Sequence, residues 1–320
     1  MCLEAVDQAP LGSRTPLLLI HGWTFDRPGP PRPAVWDNFI AYSEDVPWVG
    51  ETFKSYRVTY YSNVATVSDI GQILAELIDR MDARDPGFAG RKLFIIGHSL
   101  GGLVARSFMQ EWRLARGHGI PGGERVLHLV TLGTPHHGTP LANGPSRDDK
   151  AGPLALMLSL FDGIVFRGMP WSEANRSDIH ADRELGALAG LDYSRFAGDG
   201  NPWLDRLNAG NPYWQNISMF AGSIRPGEGW NRGCLALNPP LNLSATTVMD
   251  CTALLINDLY GRLSNDGIVP IVSAAFKGCE TCVAETLPGY DHFQLAQGKA
   301  PGDSSLFDAI LSNLSAAARR

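Results

Sequence analysis

Residues 92–97, Lys-Leu-Phe-Ile-Ile-Gly, form a short apolar run that passes through His98-Ser99-Leu100-Gly101-Gly102 into an amphipathic stretch. A run of this length bounded by glycine reads as a buried strand. Leu103, Val104, Phe108 and Trp112 fall on one face of a helix expected from Leu100 to Arg116 and closed by Gly117. The chain must therefore turn sharply from strand to helix around one serine. Such a turn crowds the positions two before and two after it, and here these are Gly97 and Gly101. The turn leaves the Ser99 hydroxyl exposed over the sheet, and the positive end of the helix faces any charge that develops there. That is the placement a nucleophilic serine needs. The alternative is an ordinary helix N-cap serine.

The same rhythm runs through the first 135 residues. Pro16–Gly22, Ser55–Tyr61 and Val126–Gly133 read as further strands, and Ile70, Ile73, Leu74, Leu77, Ile78 and Met81 mark a helix from Ser68 to about Arg84. Strands alternating with helices predict an α/β chain with a mostly parallel central sheet and helices on both faces. The rhythm breaks over 140–213, too long for a plain loop, and again over 225–263. Between these two insertions Trp214–Ile224 reads as a strand, and Ser304 to Ala318 reads as a final helix. We expect one domain over 1–320, with 140–213 as a cap or lid.

Bulk properties remove several classes. A net charge of −6 leaves no basic footprint for nucleic acid. The longest apolar patch, Leu154–Phe161, stops at Asp162 and Gly163, far short of a bilayer span. No basic, apolar leader is visible at the start. Of five cysteines, Cys2 stands alone, while Cys234, Cys251, Cys279 and Cys282 crowd the last third. Cys279 and Cys282 form a C-x-x-C, but no second such pair completes a zinc site, so no metal is expected. Disulfides in an exported protein fit the clustering, and four cysteines allow three pairings.

Taken together, "GHSLGG", the upstream "LLLIHGW" and the later "VTLGTPHHGT" resemble the α/β-hydrolase lipases, bacterial lipases and related lipase-like serine esterases in particular. The resemblance covers Leu17–Thr139 and Ser264–Gln294 and is poor over Pro140–Tyr213. It implies a serine ester hydrolase working through an acyl-enzyme on lipid-like carboxylic esters, with no cofactor. Polyester depolymerase, acyltransferase and amidase use the same machinery, and a non-catalytic binding module is the reading from a different class.

An acyl-transfer site needs donors for the oxyanion. The N–H of Leu100, next after the serine, is one, and the resemblance places the second at Trp23, after His21-Gly22. The acid and the histidine should follow in that order along the chain. Asp266 in "SNDGIVP" matches the lipases' DG-x-V-P turn, and His292 in "YDHFQ" follows a strand-like run at 282–287. Many such lipases hold calcium through an aspartate two residues after this histidine. Here that residue is Gln294, so the calcium site is not carried over. His136 is expected to line the substrate pocket, and Leu156, Leu160 and Phe161 to lie on a helix over it, either a lid opening at a lipid interface or a buried cap helix. The resemblance and the cysteines together point to a secreted or periplasmic protein; oligomeric state is not readable.

Overall fold

Every apolar run read as a strand is one. The computed structural model of the chain describes residues 1–23, 34–62, 65–116, 119–139, 142, 178–189, 200–224, 263–276, 279 and 282–319. Its strands are β1 (Cys2–Ala5), β2 (Thr15–Ile20), β3 (Phe53–Thr59), β4 (Leu93–His98), β5 (Arg113–Leu114), β6 (Ile120–Pro121), β7 (Val126–Leu132), β8 (Ile217–Ser223) and β9 (Val283–Pro288). Seven form one sheet in the order β1-β3-β2-β4-β7-β8-β9, while β5 pairs with β6 alone. Only β1, which the apolar pattern did not mark, runs antiparallel to its neighbour in that sheet.

Side-chain alternation along the strands divides the core in two. Leu18, Ile20, Val58 and Ile95 pack on one face with α3 (Val67–Arg84) and α4 (Leu100–Glu111). Leu17, Leu19, Phe94 and Ile96 pack on the other with α1 (Asp37–Glu44), α2 (Pro47–Thr52) and the C-terminal helix Ser304–Ala318. A parallel sheet covered on both faces needs such unbroken apolar strands.

Helix α3 begins one residue before the expected Ser68. Thr66 caps it, accepting from the Asp69 N–H at 3.0 Å while the Asp69 carboxylate accepts from the Thr66 N–H. Helix α4 ends five residues early. Trp112 is already extended, its carbonyl accepts from Gly122 N–H at 2.8 Å, and the chain turns into the β5–β6 hairpin instead of continuing to Gly117.

Residues 143–177 and 225–262 lie outside the described residues, and with them Leu156, Leu160 and Phe161, Cys234 and Cys251. The described parts of the first insertion are tied to its start and to one another. Thr139 N–H donates to Ile179 O at 2.9 Å, and Asn201 Nδ2 donates to the carbonyls of Asp178 and His180. Among the described residues no helix is long and apolar enough to cross a membrane. Cys279 and Cys282 form a disulfide, and Cys2 is a free thiol.

The strand order fixes where a site can form. From β2 the chain goes to one side for β3, then crosses to the other for β4, so the connections diverge at the carboxyl ends of β2 and β4. Open α/β sheets bind ligands in the crevice that such a reversal leaves. Gly22 and Ser99 lie just beyond those two strand ends.

Candidate active site

Ser99 joins β4 to α4 with φ 54° and ψ −126°. L-residues rarely adopt such a backbone, because Cβ crowds the neighbouring peptide. Phe276 is the only other non-glycine with positive φ among the described residues. The bend is locked on both sides. Ser99 N–H donates to Leu132 O of β7 at 2.8 Å, and Gly102 N–H donates to Ser99 O at 3.1 Å. A Cβ at Gly97 would come within 2.7 Å of the Gly102 backbone, and one at Gly101 would collide with the carbonyl oxygens of Ile20 and His21. The Ser99 side chain makes no capping bond to the helix. Its hydroxyl points elsewhere.

It points to His292. The Ser99 Oγ–H donates to His292 Nε2 at 2.8 Å, and His292 Nδ1–H donates to Asp266 Oδ2 at 2.8 Å. A carboxylate only accepts, so that second bond assigns the tautomer: proton on Nδ1, lone pair on Nε2. The other oxygen of Asp266 accepts from the N–H groups of Ile268 and Val269 at 3.0 and 2.7 Å. The Asn-Asp-Gly-Ile-Val-Pro turn therefore closes on its own carboxylate and leaves Oδ2 for the imidazole. Asp266 and His292 are buried, and Ser99 is half-buried.

Asp291, beside the histidine, takes no part in this line. Its Oδ1 accepts from the N–H groups of Phe293 and Gln294, and burial raises its carboxyl above the usual range. Gln294 Oε1 accepts from Asp291 N–H at 3.0 Å. The residue standing at the expected calcium position is thus occupied in closing the turn that carries His292.

The strand end at 21–23 approaches Ser99 from the other side. His21 Nδ1–H donates to Gly22 O at 2.7 Å, its Nε2 faces the Tyr60 N–H at 3.4 Å, and the Tyr60 hydroxyl donates to His21 O at 2.6 Å. The two rings stack at 4.2 Å, and burial pushes the His21 pKa down to about 4, so this brace is neutral. A side chain at Gly22 would lie 2.6 Å from Ser99 Cβ, which shows how closely the backbone passes the serine. Trp23 follows directly, and Leu100 opens α4, where the first N–H groups have no partner within the helix. Two chain segments, 21–22 and the start of α4, therefore meet at Ser99.

His136 is corrected. It is enclosed, not pocket-lining: Arg106 donates to its Nδ1 at 3.0 Å, Thr131 Oγ1 lies 3.1 Å from its Nε2, and none of its surface is exposed. Arg106 itself is fully buried, stacks on Trp214 at 4.4 Å, and donates to Leu207 O and Asn208 Oδ1. Its neighbour His137 faces Asp182 at 2.7 Å. Both histidines of the loop after β7 are structural braces. Two residues missed by sequence reasoning touch the site. Tyr60 braces His21, and His98 Nε2–H donates to the backbone carbonyl of His292 at 2.8 Å. Only adjacency to the serine pointed to His98; Tyr60 carried no signal.

Residues 59–148 match the family model described as a PGAP1-like alpha/beta domain. That stretch carries Ser99 but neither Asp266 nor His292. No curated protein matches the chain. Among solved structures it is similar to the mature lipase BlEst2 of Bacillus licheniformis, at 17% identity and TM-score 0.56, covering 98% of this chain and 97% of that one. The Staphylococcus hyicus lipase gives 16% identity and TM-score 0.56, covering 98% of both chains. Phospholipase PlaB from Legionella pneumophila gives 15% and 0.58, covering 94% of this chain and 58% of that one. The chain has the α/β-hydrolase fold.

Proposed function

We propose that this α/β-hydrolase chain is a serine hydrolase of carboxylic esters, acting on lipid-like substrates through an acyl-enzyme. The observation that carries the reading is the unbroken line Ser99 Oγ–His292 Nε2, His292 Nδ1–Asp266 Oδ2, both bonds 2.8 Å, with the serine on a strained bend. As the Ser99 oxygen attacks the acyl carbon, His292 takes its proton and later returns it to the leaving alcohol. Asp266 holds the productive tautomer and offsets the imidazolium charge. The N–H groups of Trp23 and Leu100 receive the oxyanion, where fixed dipoles in a dry site are worth most. Water then attacks the acyl-Ser99 ester by the same route. Lipid-like substrates are inferred from the printed names of the lipase and phospholipase neighbours. The disulfide is compatible with an extracellular or periplasmic setting.

The test is turnover of aryl esters from short to long acyl chains, with and without an emulsion, beside covalent labelling by a fluorophosphonate. The wild type should hydrolyse them and be labelled at residue 99, and Ser99→Ala should do neither. Undiminished turnover in Ser99→Ala overturns the assignment. Preference for long chains at an interface would mark a lipase, and preference for short soluble esters a carboxylesterase.

A further inference from the structure

We propose that His98 is a positioning residue for this reaction, setting through a backbone hydrogen bond where the imidazole of His292 meets Ser99. The proposal rests on the serine-hydrolase reading and adds to it a residue that the Ser-His-Asp line does not contain. A base in a loop after the last strand is placed by its backbone, and the His292 backbone is held at both ends. Its N–H donates to the Asp266 carbonyl at 2.9 Å. Its carbonyl accepts from His98 Nε2–H at 2.8 Å, across 194 residues of sequence. His98 is covalently next to Ser99.

The three residues are thus joined twice. One path runs through side chains, from the Asp266 carboxylate through the His292 ring to the Ser99 hydroxyl. The other runs through the backbone, from the Asp266 carbonyl to His292 N–H, then from His292 O to His98 and along the chain to Ser99. The paths close a ring, so a shift of the elbow carries the base with it.

Direction and charge follow from the same geometry. A carbonyl only accepts, so His98 carries its proton on Nε2 and leaves Nδ1 bare, facing Gly22. The ring is 4% exposed and tilted 46° to that of His292, centroids 5.0 Å apart. Burial, with His292 and His21 as the nearest titratable neighbours, pushes its pKa down to about 3. It therefore stays neutral when His292 becomes an imidazolium beside it, and adds no repulsion in the transition state.

Glutamine can test this, because its Nε2 stands the same number of bonds from Cβ as the donor of histidine, whereas the amide of asparagine falls one bond short. His98→Leu and His98→Asn should lower kcat/KM about tenfold to a hundredfold with little change in KM, and slow fluorophosphonate labelling in parallel, as expected for mispositioned catalytic groups. His98→Gln should recover to within about threefold of wild type on the same grounds. In the leucine and asparagine variants the acid limb of the kcat/KM–pH profile should move to lower pH, since an imidazole less well seated on Asp266 binds its proton less tightly. A merely structural loss would scale the profile without moving it. The low-field proton resonance of His292 Nδ1–H gives a readout independent of activity: it should persist in His98→Gln and broaden in the other two. Equal activity in all variants, or equal loss in all three with an unmoved limb and an unchanged resonance, overturns the proposal. A wild type that neither turns over esters nor labels at Ser99 would instead refute the hydrolase reading, with the resonance still reporting on His98.

Discussion

Replacing Ser99 by glycine should leave the protein more stable than replacing it by alanine, the reverse of the order at ordinary backbone positions. Both changes delete the hydroxyl and its bond to His292, so that loss, about 1 kcal/mol, cancels in the comparison. What differs is the Cβ at φ 54°, ψ −126°. A sparsely populated backbone conformation costs a non-glycine residue about 1–3 kcal/mol, and alanine keeps that cost while glycine sheds it. Against this, glycine loses about 0.5–1 kcal/mol more conformational entropy on folding than alanine. The balance favours Ser99→Gly over Ser99→Ala by about 1 kcal/mol, with about 2.5 kcal/mol as the upper end of the same subtraction. In a chain of this size that is about 2 °C in Tm. Urea denaturation of the two inactive variants at neutral pH measures the difference directly, and calorimetry checks it. If Ser99→Gly falls below Ser99→Ala by the ordinary glycine penalty, the bend is not strained and the elbow reading loses its physical basis.

Three further outcomes follow from the same contacts. Asp266→Asn should keep the fold but cost roughly three to four orders of magnitude in kcat, because an amide facing His292 Nδ1 favours the wrong tautomer; turnover within tenfold of wild type would remove Asp266 from the mechanism. Acid should destabilise the protein from about pH 6.5 downward. The buried histidines His21, His98 and His136 have folded pKa values below 6.5, so the unfolded chain binds their protons first, and each costs up to about 1.4 kcal/mol per pH unit in that window. Asp178, raised to about 6, and Asp291, also raised, oppose this, because their contribution is lost as pH rises. Urea midpoints that climb between pH 7 and pH 5 would contradict the balance. Replacing Cys279 and Cys282 together by serine should cost about 2 kcal/mol, the loop-closure value for a four-residue ring, and unfolding free energies check it.

What was legible in the sequence was what local chemistry dictates. Parallel strands buried on both faces must be continuous apolar runs, so β2, β4, β7 and β8 could be read to within a few residues. β1, an exposed edge strand of only four residues, gave no such run. The end of α4 was misplaced because Trp112 fits the helical stripe equally well. Its indole instead donates to Ser68 O, on the neighbouring helix, as the backbone leaves the α conformation. Ser99 stood out because a sharp strand-to-helix turn demands specific small neighbours, and Asp266 was picked out by the resemblance of its turn and by chain order; the structure sets both beside His292.

Residues whose role depends on a distant partner were not legible. His136 and His98 are both histidines at the carboxyl end of a central strand, one expected at the pocket and the other not singled out by residue type or spacing. Their fates are set by what the fold delivers to each ring. A fully buried guanidinium from α4 comes to His136, and a neutral imidazole with no exposed surface beside a fixed cation can only brace that cation. The carbonyl of His292 comes to His98, and the ring of that same residue accepts from the Ser99 hydroxyl. Residue type and spacing identify the groups able to do chemistry. Which of them touch the reacting atoms, and which hold those that do, is decided by pairings that exist only once the sheet has closed.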